Sequence, residues 1–167
     1  MPLSLTILVG TMTGTAEMVA QEVQQALESS GHEVDLRMMD GLDAGAFAEG
    51  GNFLVCTSTY GFGNVPDNAQ DLLDSLESDR PDLSTVVYGV IALGDRTYVD
   101  TFCHGGRRFD QILSDLGARR VGEMMEHDAG SEFLPEEVAP DWALAWVKEL
   151  DASSGAQADT TSSAQTE

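Results

Sequence analysis

The feature that most constrains this chain is a repeated alternation of short apolar runs with amphipathic helical segments. Leu3–Val9, Phe53–Cys56 and Val86–Leu93 are largely apolar runs that read as buried strands, and each gives way at once to a segment rich in Gly, Ser and Thr. Ala16, Val19, Ala20, Val23, Ala26 and Leu27 recur at helical spacing, and Gly31 is placed to end that helix. Val34, Leu36 and Met38 alternate as a further strand, and Gly41–Gly51 reads as a loop holding a short helix. Ala69, Leu72, Leu73 and Leu76 predict a second helix with Asp71, Asp74 and Glu77 on its outer face. Phe109, Ile112, Leu113 and Leu116 predict a third, ending near Gly117. Arg120–Met125 reads as the last strand, and Trp142, Ala145, Trp146, Glu149 and Leu150 as a closing helix. Strands apolar on both faces, alternating with helices, require a parallel sheet covered on both sides.

Five strands and four or five helices in 167 residues predict an α/β fold of one doubly wound, five-stranded parallel sheet in the order 2-1-3-4-5. A TIM barrel needs about 250 residues. The domain is expected over residues 1–150. Residues 151–167 are almost entirely Ser, Thr, Ala, Gln, Asp and Gly, with no large apolar side chain to bury, and are expected to be disordered. No apolar stretch approaches the roughly 20 residues of a membrane span. The start, Met1-Pro2-Leu3-Ser4, lacks the basic region of a secretory leader. Two cysteines, Cys56 and Cys103, make no disulfide framework. A cytoplasmic location is the expectation.

Acids outnumber bases 29 to 8, for a formal net charge of −21, and Lys148 is the single lysine. Nucleic-acid binding needs clustered Lys and Arg to replace counterions, so a polyanionic duplex is excluded. An anionic membrane surface would also repel the chain. A basic protein would be attracted and steered. The same acids also fit a protein that only needs to stay soluble in a salty cytoplasm.

In an open α/β sheet, ligands bind beyond the carboxyl ends of the strands, at the switch point of strand order. Three polar segments fall there: Gly10–Glu17, Ser58–Asn64 and Leu93–Tyr98. The first joins a strand to a helix, where amides without intrahelical partners and the helix dipole favour an anion. Thr11, Thr13 and Thr15 add hydroxyls, and Gly14 permits close backbone approach. Neither G-x-x-x-x-G-K-[ST] nor G-x-G-x-x-G is present, which argues against a triphosphate or dinucleotide loop. Neutral donors suit one terminal monophosphate. Taken alone, the segment equally fits a helix capped by Thr13 or Thr15, with Glu17 complementing the dipole.

Thr11-Met12-Thr13-Gly14-Thr15-Ala16-Glu17 resembles the S-Q-T-G-T-A-E phosphate loop of flavodoxins and of the FMN domains of diflavin reductases. Ser58-Thr59-Tyr60-Gly61-Phe62-Gly63-Asn64-Val65-Pro66-Asp67-Asn68-Ala69 is similar to their S-T-Y-G-x-G-x-x-P-D-N-A segment, and Leu93-Gly94-Asp95-Arg96-Thr97-Tyr98 to L-G-D-S-S-Y. The matches keep the family's order and spacing, and the likeness covers residues 3 to about 150. Short, stand-alone flavodoxins of the MioC type look nearest, since no nicotinamide-binding domain follows.

The resemblance implies FMN as the cofactor. Thr11, Met12, Thr13, Gly14, Thr15 and Ala16 would hold the phosphate, and Ser58, Thr59, Leu93, Gly94 and Asp95 would meet the polar edge of the ring. Tyr60 and Tyr98 would cover its two faces, and Gly61, Gly63 and Asn64 would lie beside N5, where an easily turned peptide favours one-electron reduction. Phe102 and Cys103 would follow the third loop, but Val99-Asp100-Thr101 make the chain one residue longer there than the usual Y-x-x-F-C. His127-Asp128-Ala129-Gly130 only partly matches the acidic loop that often follows the fifth strand. Gly105-Gly106-Arg107-Arg108 reads as the opening of a solvated helix. Asp95 and Asp100 near the ring would oppose negative charge on the reduced flavin and lower its potential.

The expected function is one-electron transfer from a reductase to an acceptor protein, with docking through acids such as Asp67, Asp71, Asp74, Glu132, Glu136 and Glu137. No nucleophile–base pair stands out, so no catalytic residue is expected. The three histidines suggest no metal set. A small-molecule flavin or quinone reductase remains open, as does a cofactor-free interaction module. A response-regulator receiver shares the strand order but needs an acidic pair where Gly10 and Thr11 stand.

Overall fold

The computed structural model describes residues 3–11, 14–59, 65–94 and 103–166, with side chains as far as Ala152. Strand β1 (Ser4–Gly10) leads into helix α1 (Thr15–Ser29), then β2 (Glu33–Met38), a 3-10 turn (Ala44–Phe47) and β3 (Gly51–Thr57). Helix α2 (Asp67–Asp79), β4 (Val86–Gly94) and α3 (His104–Asp115) follow. The order closes with β5 (Arg119–Arg120), β6 (Met125–Asp128) and α4 (Pro135–Thr166). All pairings are parallel, in the order β2-β1-β3-β4-β5, so the doubly wound order expected from the sequence is the one observed.

The two faces of the sheet bury different sets of residues, as the period of two along each strand requires. Leu5, Ile7 and Val9 of β1, with Leu54, Cys56, Ile91 and Leu93, pack beneath α1 and α4. Leu8, Phe53, Val55, Tyr88, Val90 and Ala92 pack beneath α2 and α3. Helix α1 presents Ala16, Val19, Ala20, Val23 and Leu27 to the sheet and ends at Gly31, whose φ of 96° is open to glycine and strained for other residues. Burial pushes the Cys56 thiol up to about 12, so this cysteine stays protonated and unreactive in the core. The Tyr88 hydroxyl donates to Asp110 Oδ1 at 2.7 Å, and Arg120 meets the other oxygen of Asp110 at 2.9 Å. Burial first, and this bond second, hold the phenol protonated well above its usual range. The trio ties β4, α3 and β5 together.

Two expectations need correction. The last strand is not one run over Arg120–Met125: β5 pairs Val87 and Tyr88, while β6 pairs Ile91 to Gly94 further along the same neighbour. Between them Gly122 takes φ 69°, and the carbonyl of Val121 accepts the Trp146 indole N–H at 3.0 Å. The sheet therefore gains a break that seats α4. Gly105 and Gly106, expected on a solvated helix, are buried. A Cβ on Gly105 would lie 2.5 Å from the Ser58 carbonyl oxygen, and one on Gly106 would lie 2.4 Å from Ala92 Cβ. The pair lets α3 lie directly against β3 and β4. Its arginines face outward, Arg107 to Glu126 and Arg108 to Glu77.

Helix α4 buries Ala139, Ala143, Trp146, Val147 and Leu150. Its two tryptophans, Trp142 and Trp146, stack with centroids 6.3 Å apart. Its backbone runs on as helix to Thr166, through the polar stretch that composition reads as disordered.

Candidate functional site: three loops on one sheet edge

The strands end in register. Gly10 pairs Thr57, Thr57 pairs Ala92, and Gly94 pairs Asp128. The three polar segments singled out in the sequence thus leave adjacent strands at the same carboxyl edge. Strand β1, flanked by β2 and β3, is where the order reverses, the switch point at which such sheets bind ligands.

Gly14 is the N-cap of α1, with φ 93° in the left-handed region. Thr15 is therefore the first helical residue and not the cap. A Cβ on Gly14 would meet nothing within 4 Å among the described residues, and its left-handed φ is what asks for glycine there. Thr11 Oγ1 accepts the Gly14 N–H at 2.9 Å, and the Thr11 N–H donates to Asn68 Oδ1 at 2.9 Å. Both of these backbone donors are thus spent on shaping the turn. Facing this end of the helix, the amides of Ala16 and Glu17 have no intrahelical acceptor among the described residues. Ala16 is fully buried, so it offers backbone only. This neutral, dipole-assisted donor set fits a monophosphate.

Asn68 is the residue to which sequence reasoning gave no role. Besides holding Thr11, its Nδ2 donates to the Val9 carbonyl at 3.3 Å and to Asp40 Oδ2 at 3.1 Å. It locks the first loop to the start of α2 and to the turn after β2. Its signal was present in the P-D-N-A part of the second motif. Asn68→Ala strands the Thr11 N–H and should weaken FMN binding about tenfold, the equivalent of about 1.4 kcal/mol. Isothermal titration against the parent protein measures this, and an unchanged Kd would show that the phosphate turn holds its shape unaided.

The second loop is fastened to the first turn of α3. Thr59 Oγ1 accepts the Gly105 N–H at 3.0 Å. Leu93 is buried in the core, so it too offers backbone rather than side chain. Cys103 caps α3 with φ 55°, and its thiol lies wholly buried, donating to the Ala92 carbonyl at 3.3 Å. Its side chain ties the start of α3 to the end of β4. Ser58 is partly exposed at the edge, and its N–H donates to the Gly10 carbonyl at 3.1 Å. Met12, Thr13, Tyr60, Gly61, Gly63, Asn64, Asp95, Tyr98 and Phe102 lie outside the described residues, as do Asp100 and the longer stretch after Tyr98. An open groove of about 480 Å³ at the opposite, amino edge is lined by Ser4, Thr6, Glu33, Asp35, Asn52 and Phe53, far along the strands from these loops.

A doubly wound sheet with an anion-ready first turn at its switch point, and two further polar segments leaving adjacent strands at the same edge, has the layout of a mononucleotide-binding α/β protein. The chain matches the flavodoxin family over residues 7–142 and belongs to it. It is 38% identical to Flavodoxin YqcA of Pectobacterium carotovorum over 146 residues, 87% of this chain and 96% of that one. It is 33% identical to Protein MioC of Escherichia coli K12 over 149 residues, 87% of this chain and 97% of that one. A solved cysteine variant of a flavodoxin from Pseudomonas aeruginosa superimposes with a TM-score of 0.79 at 36% identity, covering 89% of this chain and 99% of that one. FMN is the cofactor and electron transport the role that membership carries.

Proposed function

We propose that this protein carries single electrons from a reductase to an acceptor protein in the cytoplasm, holding FMN in the cradle between its three loops. The observation that carries the reading is the convergence of Gly10, Thr57 and Gly94 on one edge, with α1 starting beside them. In this reading the α1 amides, Thr13 and Thr15 bind the phosphate, while Met12 and Ala16 shape the turn around it. Ser58, Thr59, Leu93, Gly94 and Asp95 meet the ring's polar edge. Tyr60 and Tyr98 wall its two faces and keep water from them. Gly61, Gly63 and Asn64 form the adaptable peptide beside it, and Phe102 and Cys103 support the third loop. The bound flavin supplies the redox chemistry, and the protein supplies binding, orientation and field.

Electrostatics sets the direction of exchange. With a net charge of −21, the protein resists adding negative charge to its cofactor, so full reduction requires a low potential. Asp67, Asp71 and Asp74 on the exposed side of α2, with Glu132, Glu136 and Glu137, would steer a cationic partner to the flavin edge. Residues 1–150 make up the working domain, and residues 151–167 lie beyond Leu150, the last buried residue among the described side chains.

The test is reduction of the FMN-loaded protein by NADPH, alone and with a catalytic amount of a flavodoxin reductase, followed by its absorbance. Reduction that needs the reductase, and that then passes to a protein acceptor, is expected. Sustained quinone turnover with NADPH and the purified protein alone would identify a small-molecule reductase instead.

A further inference from the structure

We propose that Phe133 and Leu134 form the apolar anchor of a docking surface for a cationic one-electron partner protein. The proposal rests on the electron-carrier reading above and adds a contact that charge alone does not supply.

The large hydrophobic side chains left exposed among the described residues are Met18 at 45%, Phe133 at 56% and Leu134 at 52%. Two of the three are neighbours in sequence, and their position is fixed. Strand β6 ends at Asp128, opposite Gly94, and the Ala129 N–H donates to the Gly94 carbonyl at 2.8 Å. The turn that carries Phe133 therefore starts beside the strand end from which the third loop leaves. Its backbone is tied down: His127 Nε2 donates to the Phe133 carbonyl at 2.8 Å, and Ser131 Oγ donates to the same oxygen at 3.1 Å. The Leu134 carbonyl accepts the N–H groups of Glu137 at 3.0 Å and Val138 at 3.3 Å, opening α4. Both side chains are thus held out in water on a backbone whose two carbonyls are engaged. A frayed segment would show no such bonding.

The surroundings select the occupant. Glu132 and Glu137 are exposed beside the pair, with Glu136 partly so. Residues 121–147 contain no Lys or Arg. A second copy of this chain would bring acids against acids, and an anionic membrane would be repelled. An apolar centre with an acidic rim complements a protein whose redox edge is apolar and ringed by lysines. Desolvated apolar anchors lengthen residence, whereas the rim raises the rate of encounter. His127 is a positioning residue here: it sets the Phe133 turn and does not touch the partner.

The experiment compares the FMN-loaded full chain with its F133S/L134S variant, and with F133S alone, using oxidised cytochrome c as the cationic probe. The Kd of the complex is measured at low and high salt, together with stopped-flow electron transfer to cytochrome c and to ferricyanide, which needs no docking patch. The double variant should bind cytochrome c roughly tenfold or more weakly at both salt concentrations, with F133S intermediate. FMN affinity, melting temperature and the ferricyanide rate should be unchanged. A Kd equal to that of the parent would overturn the anchor while leaving charge docking intact. A parent complex indifferent to salt, or none at low salt, would refute charge docking and the anchor with it. A parent dimer dispersed by the double variant would show a second copy on the patch and overturn the choice of partner.

Discussion

Gly94→Ala should both destabilise the protein and loosen its hold on FMN. A Cβ at this position would lie 2.5 Å from the backbone nitrogen of Cys103 and 3.2 Å from its thiol sulfur. Backbone cannot yield as the end of a flexible side chain does, so the start of α3 has to move away from β4. Helix α3 also holds the Thr59 hydroxyl through the Gly105 amide and presses Gly105 against the Ser58 carbonyl. One methyl group thus displaces the helix that anchors the second loop. The overpacking should cost about 2–3 kcal/mol of stability. A loss of about 1.4 kcal/mol in binding would appear as roughly tenfold in the FMN Kd. Urea unfolding and flavin fluorescence titration measure the two effects. Parent-like values in both would mean that the start of α3 shifts freely, contrary to its packing against Gly94.

Gly89→Ala should be the most damaging single substitution for stability, with a smaller direct effect on the site. Gly89 lies in the middle of β4 on the face covered by α4, and its Cβ would fall 2.4 Å from Trp146 Nε1 and 2.7 Å from Cε2. Trp146 is buried, and its indole N–H is committed to the Val121 carbonyl. Displacing the ring both strains the core and leaves that carbonyl without its donor. The two effects together should cost about 3–5 kcal/mol. Adding Trp146→Phe to the alanine variant should recover part of the packing strain but not the lost hydrogen bond. If the double variant is no more stable than Gly89→Ala, the clash is not the cause.

Much of the fold was legible because its central strands, β1, β3 and β4, are largely buried. Leu3–Val9 and Val86–Leu93 could not be satisfied by any element exposed on one side, and the helical spacing of Ala16 to Leu27 supplied the cover. The last strand was not legible as it stands, since its break depends on an indole reaching from α4 to Val121, a contact 25 residues away in sequence. Gly105 and Gly106 were misread for a related reason. Beside two arginines they look like a solvent-facing turn, and only the closeness of Ser58 and Ala92 shows them as the contact that admits α3 to the sheet. The site divides in the same way. Its positions were visible because each motif follows a strand, so strand order alone brings the motifs together. The bonds that brace it, from Asn68 to the first motif and from the helix residue Gly105 to the second, reach across the fold and could not be read from any one motif alone.

The most direct test of the account is a two-dimensional amide NMR titration of the flavin-free protein with FMN. Shift changes are predicted in all three loop segments, at residues 10–17, 58–64 and 93–103, with Glu33, Asp35 and Asn52 at the opposite edge unmoved. Changes centred on that amino-edge groove, or confined to a single loop, would contradict it.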